Sequence, residues 1–242
     1  MTRSFFVASC ILAAACSSPP PAASPARWPA GDVVDLSHTY DQQTVFWPTA
    51  ESFRLEKVAD GITDKGYYYA ANNFCTSEHG GTHLDAPVHF AQGHQTVDQV
   101  PLERLVGEAV VIDVSAESEK DVDYQVAVGD FTRWEQAHGQ LPSGAIVLIR
   151  TGFSRRWPDA ARWLVANRSI DAIGLDTASI DYGRSTLFES HRILYERNIP
   201  AFENLTNLDR LPATGAYVVA LPMKIGGGSG APLRAIAILG GS

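Results

Sequence analysis

Short uninterrupted apolar runs recur through the chain: Val110–Ile112, Ile146–Ile149, Ala172–Leu175, Tyr217–Leu221 and Ala235–Leu239. A run of this length with no polar alternation reads as a strand buried on both faces. Three more segments, Val33–Leu36, Phe53–Val58 and Tyr67–Phe74, have β-favouring composition. Tyr67, Tyr68 and Tyr69 alternate faces in such a strand, so core packing is the expectation, with a pocket position as the alternative. Helical signals are fewer. Asp130–Ala137 begins on a residue suited to N-capping, and Pro158–Asn167 opens with a Pro that fits a first turn. Thr186–Asn198 sets Leu187, His191 and Leu194 on one face and stops at Asn198 and Pro200. The mixture predicts an α/β chain with one β-rich domain. No repeat or internal linker divides it, and 242 residues suffice for a substantial core.

The N-terminus stands apart. A short positive start at Arg3 precedes the apolar run Phe5–Ala15, too short to span a bilayer as a helix. Ala13 to Ala15 then precede Cys16. This layout predicts a signal peptide over 1–15. Small residues before a Cys also resemble a bacterial lipoprotein cleavage site, with Cys16 taking the lipid; a plain signal peptide cut near Ala15 is the alternative. Residues 16–31, rich in Ser, Pro and Ala, read as a tether, and the folded domain is expected over 32–242. The protein is thus expected on the periplasmic side, touching a membrane only through that lipid. Beyond Cys10 and Cys16 only Cys75 remains, which cannot form an internal disulfide.

The formal net charge of -8, without a basic stretch, argues against nucleic acid as a partner. The chemistry concentrates elsewhere. Of seven His in the chain, His79, His83 and His89 fall in one short segment together with Asp85. Neutral imidazole and carboxylate are ligands for Zn or Mn. His83 and Asp85, two apart, share a face of an extended segment. Gly80 and Gly81 let His79 fold back toward them, and Pro87 stiffens the turn before His89. A hydrogen-bonded surface loop is the competing reading. Further on, Ile199, Ala201 and Glu203 would share a strand face, setting a carboxylate where a core residue is expected. Buried, it needs a partner such as a metal ion; at a strand end it could face water. His191, on the apolar face of its helix, is by itself more commonly a satisfied core residue. The Gly226–Gly230 run lacks the Gly-Lys-Ser/Thr ending of a phosphate loop, so close backbone packing explains it better.

The stretch His79-Gly-Gly-Thr-His-Leu-Asp-Ala-Pro-Val-His89-Phe90 resembles the signature of the cyclase family, which includes bacterial kynurenine formamidases and isatin hydrolases. Asp35-Leu-Ser37, Phe46-Trp-Pro48, Gly174–Asp181, Glu203–Asn207, Leu211-Pro212 and Gly228–Pro232 extend it, with Ala178 where Pro is usual. The resemblance implies a fold of the swivelling β/β/α type and a homodimer. It implies His79, His83 and Asp85 as ligands of a first metal, with Asp85 able to bridge to a second held by His191 and Glu203. It also implies His89 as the catalytic acid/base and Trp47 as a substrate-contacting aromatic. One or two divalent ions, Zn or Mn, are the expected cofactor. The expected reaction is hydrolysis of a small aromatic amide, an aryl formamide such as N-formylkynurenine, with a cyclic amide such as isatin as the alternative. A metal-dependent ligand-binding lipoprotein is the non-catalytic alternative; it would have no need of His89. A structural metal site is disfavoured because Cys ligands are lacking.

Overall fold

The computed structural model describes residues 31–121, 124–152, 158–181 and 185–240. The expected signal peptide and all of the expected tether but Gly31 lie outside these residues. Ten strands occur among them: β1 (Val33–Asp35), β2 (Arg54–Ile62), β3 (Tyr68–Cys75), β4 (His83–Asp85), β5 (Val106–Asp113), β6 (Ala145–Arg150), β7 (Ile170–Leu175), β8 (Ala201–Glu203), β9 (Ala216–Pro222) and β10 (Gly230–Leu239). Four helices accompany them: α1 (Ser115–Lys120), α2 (Val128–His138), α3 (Pro158–Asn167) and α4 (Glu189–Tyr195). The β-rich α/β domain expected from the sequence is what the chain forms.

Eight strands make one sheet in the order β1-β10-β4-β8-β7-β6-β5-β9, and β9 pairs again with β10. That second pairing closes a ring. β10 serves it by dividing its length: Gly230–Pro232 pair with β4, Ile236–Ile238 with β1, and Leu233–Leu239 with β9 on the other edge. β5, β6, β7 and β8 run parallel; the remaining pairings are antiparallel.

Closure explains the uninterrupted apolar runs. Side chains alternate across each strand, and along the apolar runs of β5, β6 and β7 both faces are dry. The outward side chains of β9 are instead half-buried at Tyr217 and Val219 and exposed at Leu221. Val110 and Ile112 of β5, with Val147 and Ile149 of β6, face an outer core completed by Phe131 and Trp134 of α2, Leu164 of α3, and Leu194 and Tyr195 of α4. Ala109 and Val111, with Ile146 and Leu148, face the inside of the ring with Leu84 and Phe202. Ile146 and Leu148 are fully buried, so Leu148→Ala should cost about 2–5 kcal/mol.

Two helix expectations shift. Asp130 is not the cap of α2 but its third residue. From there its carboxylate reaches back to accept the Ala127 N–H at 2.8 Å, satisfying an amide that no helical partner can take. α4 starts at Glu189, three residues later than Thr186, because Phe188 sits in the left-handed region at φ 47°. Leu187 is consequently 63% exposed rather than on the buried face. α1 had no sequence signal strong enough to be read.

β2 and β3 form a separate two-stranded sheet. Tyr67, Tyr68 and Tyr69 were expected in the core, but all three are exposed, as are Leu55, Val58, Ile62 and Phe74. The hairpin projects away from both cores, so its apolar side chains find no partner layer among the described residues.

Candidate active site

The site is assembled where β4 and β8 lie side by side, under α4. Their register sets His83 opposite Glu203 and Leu84 opposite Phe202. The alternation of β4 then turns His83 and Asp85 the same way, while Leu84 enters the ring interior. His83, Asp85, His191 and Glu203 are each at most 4% exposed. His79 approaches from the loop before β4, and His89 ends the short 3-10 turn Pro87–His89. Glycine is required at several positions around the site, Gly81 among them with φ 56°. A Cβ on Gly80 would lie 2.0 Å from the Phe46 ring, and one on Gly230 would lie 2.5 Å from the His79 ring. Close backbone packing thus accounts for Gly230 and Gly228, whereas Gly226 and Gly227 border open space.

Asp85 is the hub. Its Oδ1 lies 2.6 Å from His79 Nδ1 and 3.1 Å from His83 Nε2. Its Oδ2 accepts the Tyr195 hydroxyl at 2.8 Å, with His191 Nε2 at 3.6 Å and His89 Nε2 at 3.8 Å. Glu203 lies 3.6 Å from His83 Nε2 through Oε2 and 3.5 Å from His191 Nε2 through Oε1. Glu203 Oε1 also accepts the Ile180 N–H at 2.7 Å. Two trios have ligand atoms within 4.8 Å of one another: His79, Asp85 and His89, and His83, Asp85 and Glu203. Asp85 belongs to both, which is the arrangement of a bridging carboxylate. His191 stands next to the second trio through its contacts to Asp85 and Glu203.

The electrostatics follow from burial. Desolvation alone would raise the Asp85 carboxyl, but His79 and His83 reverse this and hold it well below the usual carboxylate range. Glu203 is pushed up by burial and by the negative Asp85 beside it. Burial works against a charge on His83, yet the Asp85 hydrogen bond and the two carboxylates push it up to about 9. His191 is likewise pushed up to about 9, against burial, by Asp181, Glu203 and Asp85. His89 goes the other way. Burial and the surrounding imidazoles outweigh Asp85 and push it down to about 4, so its ring is neutral near neutral pH.

Above this floor lies a cavity of about 320 Å³ walled by Phe46, Trp47, Phe90 and Phe188, large enough for a small molecule. Phe90 and Phe188 are 4.9 Å apart between centroids, and Trp47, 45% exposed at the mouth, meets Phe188 edge-on at 6.5 Å. Among the described residues, none that lines it is Lys or Arg.

Every site residue singled out in the sequence converges here: Trp47, His79, His83, Asp85, His89, His191 and Glu203 all line the one cavity. His89 is the least separable by geometry. Its ring stacks on His79 at 3.7 Å, within reach of a ligand position as well as of the cavity. Sequence reasoning missed Tyr195, Phe188 and Asp181. The carboxylate of Asp181 lies 2.6 Å from His191 Nδ1. Tyr195 lies one helical turn after His191, a spacing that could have suggested a shared face; Phe188 carried no signal.

Residues 34–182 match the Cyclase family model. Isatin hydrolase from Roseibium aggregatum is 31% identical over 76% of this chain and 80% of its own length. Kynurenine formamidase from Salinibacter ruber is 28% identical over 84% of this chain and 96% of its own. The structure of isatin hydrolase A from Labrenzia aggregata, bound to benzyl benzoate, superposes with a TM-score of 0.80 at 31% identity, covering 87% of this chain and 94% of that one. With the matched segment, 34–182, running from β1 through the strand β4 that carries His83 and Asp85, this chain belongs to the cyclase family of hydrolases.

Proposed function

We propose that this protein hydrolyses a small aromatic amide with the help of one or two divalent ions, Zn or Mn, held by His79, His83, Asp85, His191 and Glu203. One observation carries the reading: two buried carboxylates and three imidazoles converge on the floor of an aromatic-walled cavity, with no Lys or Arg among its described lining residues. Adjacent buried carboxylates are costly unless a cation compensates them, so the donor set fits a divalent ion. When bound, such an ion supplies Lewis acidity toward the amide carbonyl and lowers the pKa of water.

The chain's own residues do the rest. Phe46, Trp47, Phe90 and Phe188 hold the aromatic ring and keep bulk water from it. His89, neutral near neutral pH, takes a proton from the attacking water and returns it to the leaving nitrogen. The carbonyl C–N bond breaks as a C–O bond forms. For an aryl formamide of the N-formylkynurenine type the products are formate and the free aryl amine. Similarity to kynurenine formamidase supports this substrate. Similarity to isatin hydrolase supports a second reading, opening of a cyclic amide such as isatin. Metal analysis of the purified protein, with assays on N-formylkynurenine and isatin, tests both. Stoichiometric metal with turnover of either supports the reading, and a metal-free protein that binds but never turns over these amides sinks it.

Two further parts of the proposal concern setting. The protein is a homodimer, a reading supported by the exposed apolar hairpin of β2 and β3, since an isolated two-stranded sheet is marginal in water. It is exported and anchored through lipid on Cys16. Cys16→Ser should move it out of the membrane fraction, and failure of labelled lipid to attach to the wild-type chain would refute the anchor.

A further inference from the structure

We propose that Asp181 is a positioning residue that acts on the metal through His191; the inference rests on the metal-dependent reading above. Asp181 is 3% exposed, and its carboxylate makes three contacts with α4. Oδ2 lies 2.6 Å from His191 Nδ1 and accepts the His191 N–H at 3.3 Å, while Oδ1 accepts the Ser190 N–H at 3.1 Å. The ring is therefore gripped at its outer nitrogen. Its inner nitrogen, Nε2, is left aimed between Glu203 Oε1 at 3.5 Å and Asp85 Oδ2 at 3.6 Å. The preceding residue completes the brace, because the Ile180 N–H fixes Glu203 Oε1 at 2.7 Å. Two consecutive residues thus orient both donors of one metal position.

The other buried imidazole is held differently. His83 Nδ1 faces the Gly81 carbonyl at 3.0 Å, a neutral acceptor. A carboxylate behind an imidazole fixes the ring orientation and raises its strength as a ligand more than a carbonyl does, and loss of such a partner typically costs about 10–100-fold in metal affinity. Asp181 thereby makes the His191 position the stronger of the two buried imidazole donors. The competing explanation is that Asp181 merely caps the first turn of α4, which its two backbone contacts would satisfy without the ring.

A double-mutant cycle separates the two. Zn affinity is measured by chelator competition in the wild type, Asp181→Asn, His191→Ala and the double variant, and Co²⁺ is used to read the ligand-field absorption of each. Asp181→Asn should weaken Zn binding by about 10–100-fold in the wild-type background and shift the Co²⁺ bands. In the His191→Ala background it should change affinity by no more than about twofold and leave the bands in place. An equal loss in both backgrounds, or no loss in the wild type, overturns the proposal. Should Asp181→Asn not fold, Asp181→Ser reads the same cycle, since its hydroxyl can still cap an amide but sets no charge against the ring. A wild-type protein that binds neither Zn nor Co²⁺ brings down the metal-dependent reading itself. A wild type that binds both, with an unaffected Asp181→Asn, brings down this inference alone.

Discussion

The floor of the cavity and the β2–β3 hairpin invert the usual distribution of polarity in opposite directions. On β4, β8 and α4, the ionisable groups Asp85, Glu203, His83 and His191 are buried among core strands. On the hairpin, Leu55, Val58, Ile62, Phe74 and three tyrosines stand in solvent. Each inversion is costly for the chain on its own. Buried carboxylates lack the solvation of water, and a large exposed apolar patch marks a surface made for contact. Each therefore points to a partner of a different kind: a compact cation for the floor, an extended apolar surface for the hairpin. Disturbing the first should abolish chemistry, and disturbing the second should alter assembly while the fold survives.

The largest effect is expected from Asp85→Ala. Asp85 touches His79, His83, His191 and Tyr195 at once, and it belongs to both ligand trios. Its loss should remove bound metal and abolish turnover, because no remaining side chain bridges the two groups. His83→Ala should also lose metal. Full metal content in both variants, measured on the purified proteins, would remove this segment as the centre.

His89→Ala should come next, lowering turnover by about 10²–10⁴-fold while metal stays stoichiometric. Here the stacking of His89 on His79 at 3.7 Å makes the experiment decisive. Lost metal would show that the ring is a ligand, and unchanged turnover in a folded variant would leave the proton transfer to another group.

The two regions also differ in how far the sequence disclosed them. The floor was legible because its logic is local. Alternation along His83, Leu84 and Asp85 already implied a shared face, and Ile199, Ala201 and Glu203 implied a carboxylate among core residues. The convergence of β4 with β8 and α4 was not legible from periodicity and came only through family resemblance, since pairings between distant segments leave no periodic trace. Ring closure is the same case: nothing in Gly230–Leu239 shows that one strand serves three partners. The hairpin was misread for a physical reason. Tyr67–Phe74 has the composition of a half-buried strand, and composition does not reveal whether the covering layer belongs to the same chain. Phe188 was unreadable because a bulky residue in the left-handed region is set by its tertiary surroundings.

A third test uses pH on the floor. His83 and His191 are both pushed up to about 9 by the carboxylates around them. Without an ion they are protonated near neutral pH, and metal must displace those protons. Zn affinity should therefore rise with pH, by as much as about a hundredfold per unit if two protons leave, and flatten above about pH 9. The sign for stability is opposite in the metal-free protein. Groups whose folded pKa is raised contribute stability that is fully present below their unfolded value and is lost as pH rises through the folded one. The metal-free protein should thus weaken between about pH 6.5 and about pH 9, over the range where the loaded one tightens. Calorimetry in buffers of different ionisation enthalpy counts the protons. Binding that releases none at neutral pH would contradict the assignment of both rings as ligands.

The smallest effect on chemistry should come from the hairpin, and that smallness is the point. Leu55 is 62% exposed and Ile62 is 71% exposed, and they sit near opposite ends of β2, opposite Phe74 and Tyr68 on β3. Neither belongs to the two cores. A Leu55→Asp, Ile62→Asp double variant adds two charges to the patch without opening a cavity in either core. Away from buried features, a substitution usually changes stability by no more than about 0.5 kcal/mol, so the thermal midpoint of the isolated fold should barely move. A second copy covering this surface would instead have to bury both carboxylates without partners, at a cost of several kcal/mol. Sedimentation should then show the wild type as a dimer and the variant as a monomer, with metal content unchanged in both. If the variant stays dimeric, the interface lies elsewhere and the hairpin's tyrosines need another partner. If it is monomeric yet also loses metal, the two regions are coupled through Phe46 and Trp47, which lie in the chain between β1 and β2 and wall the cavity.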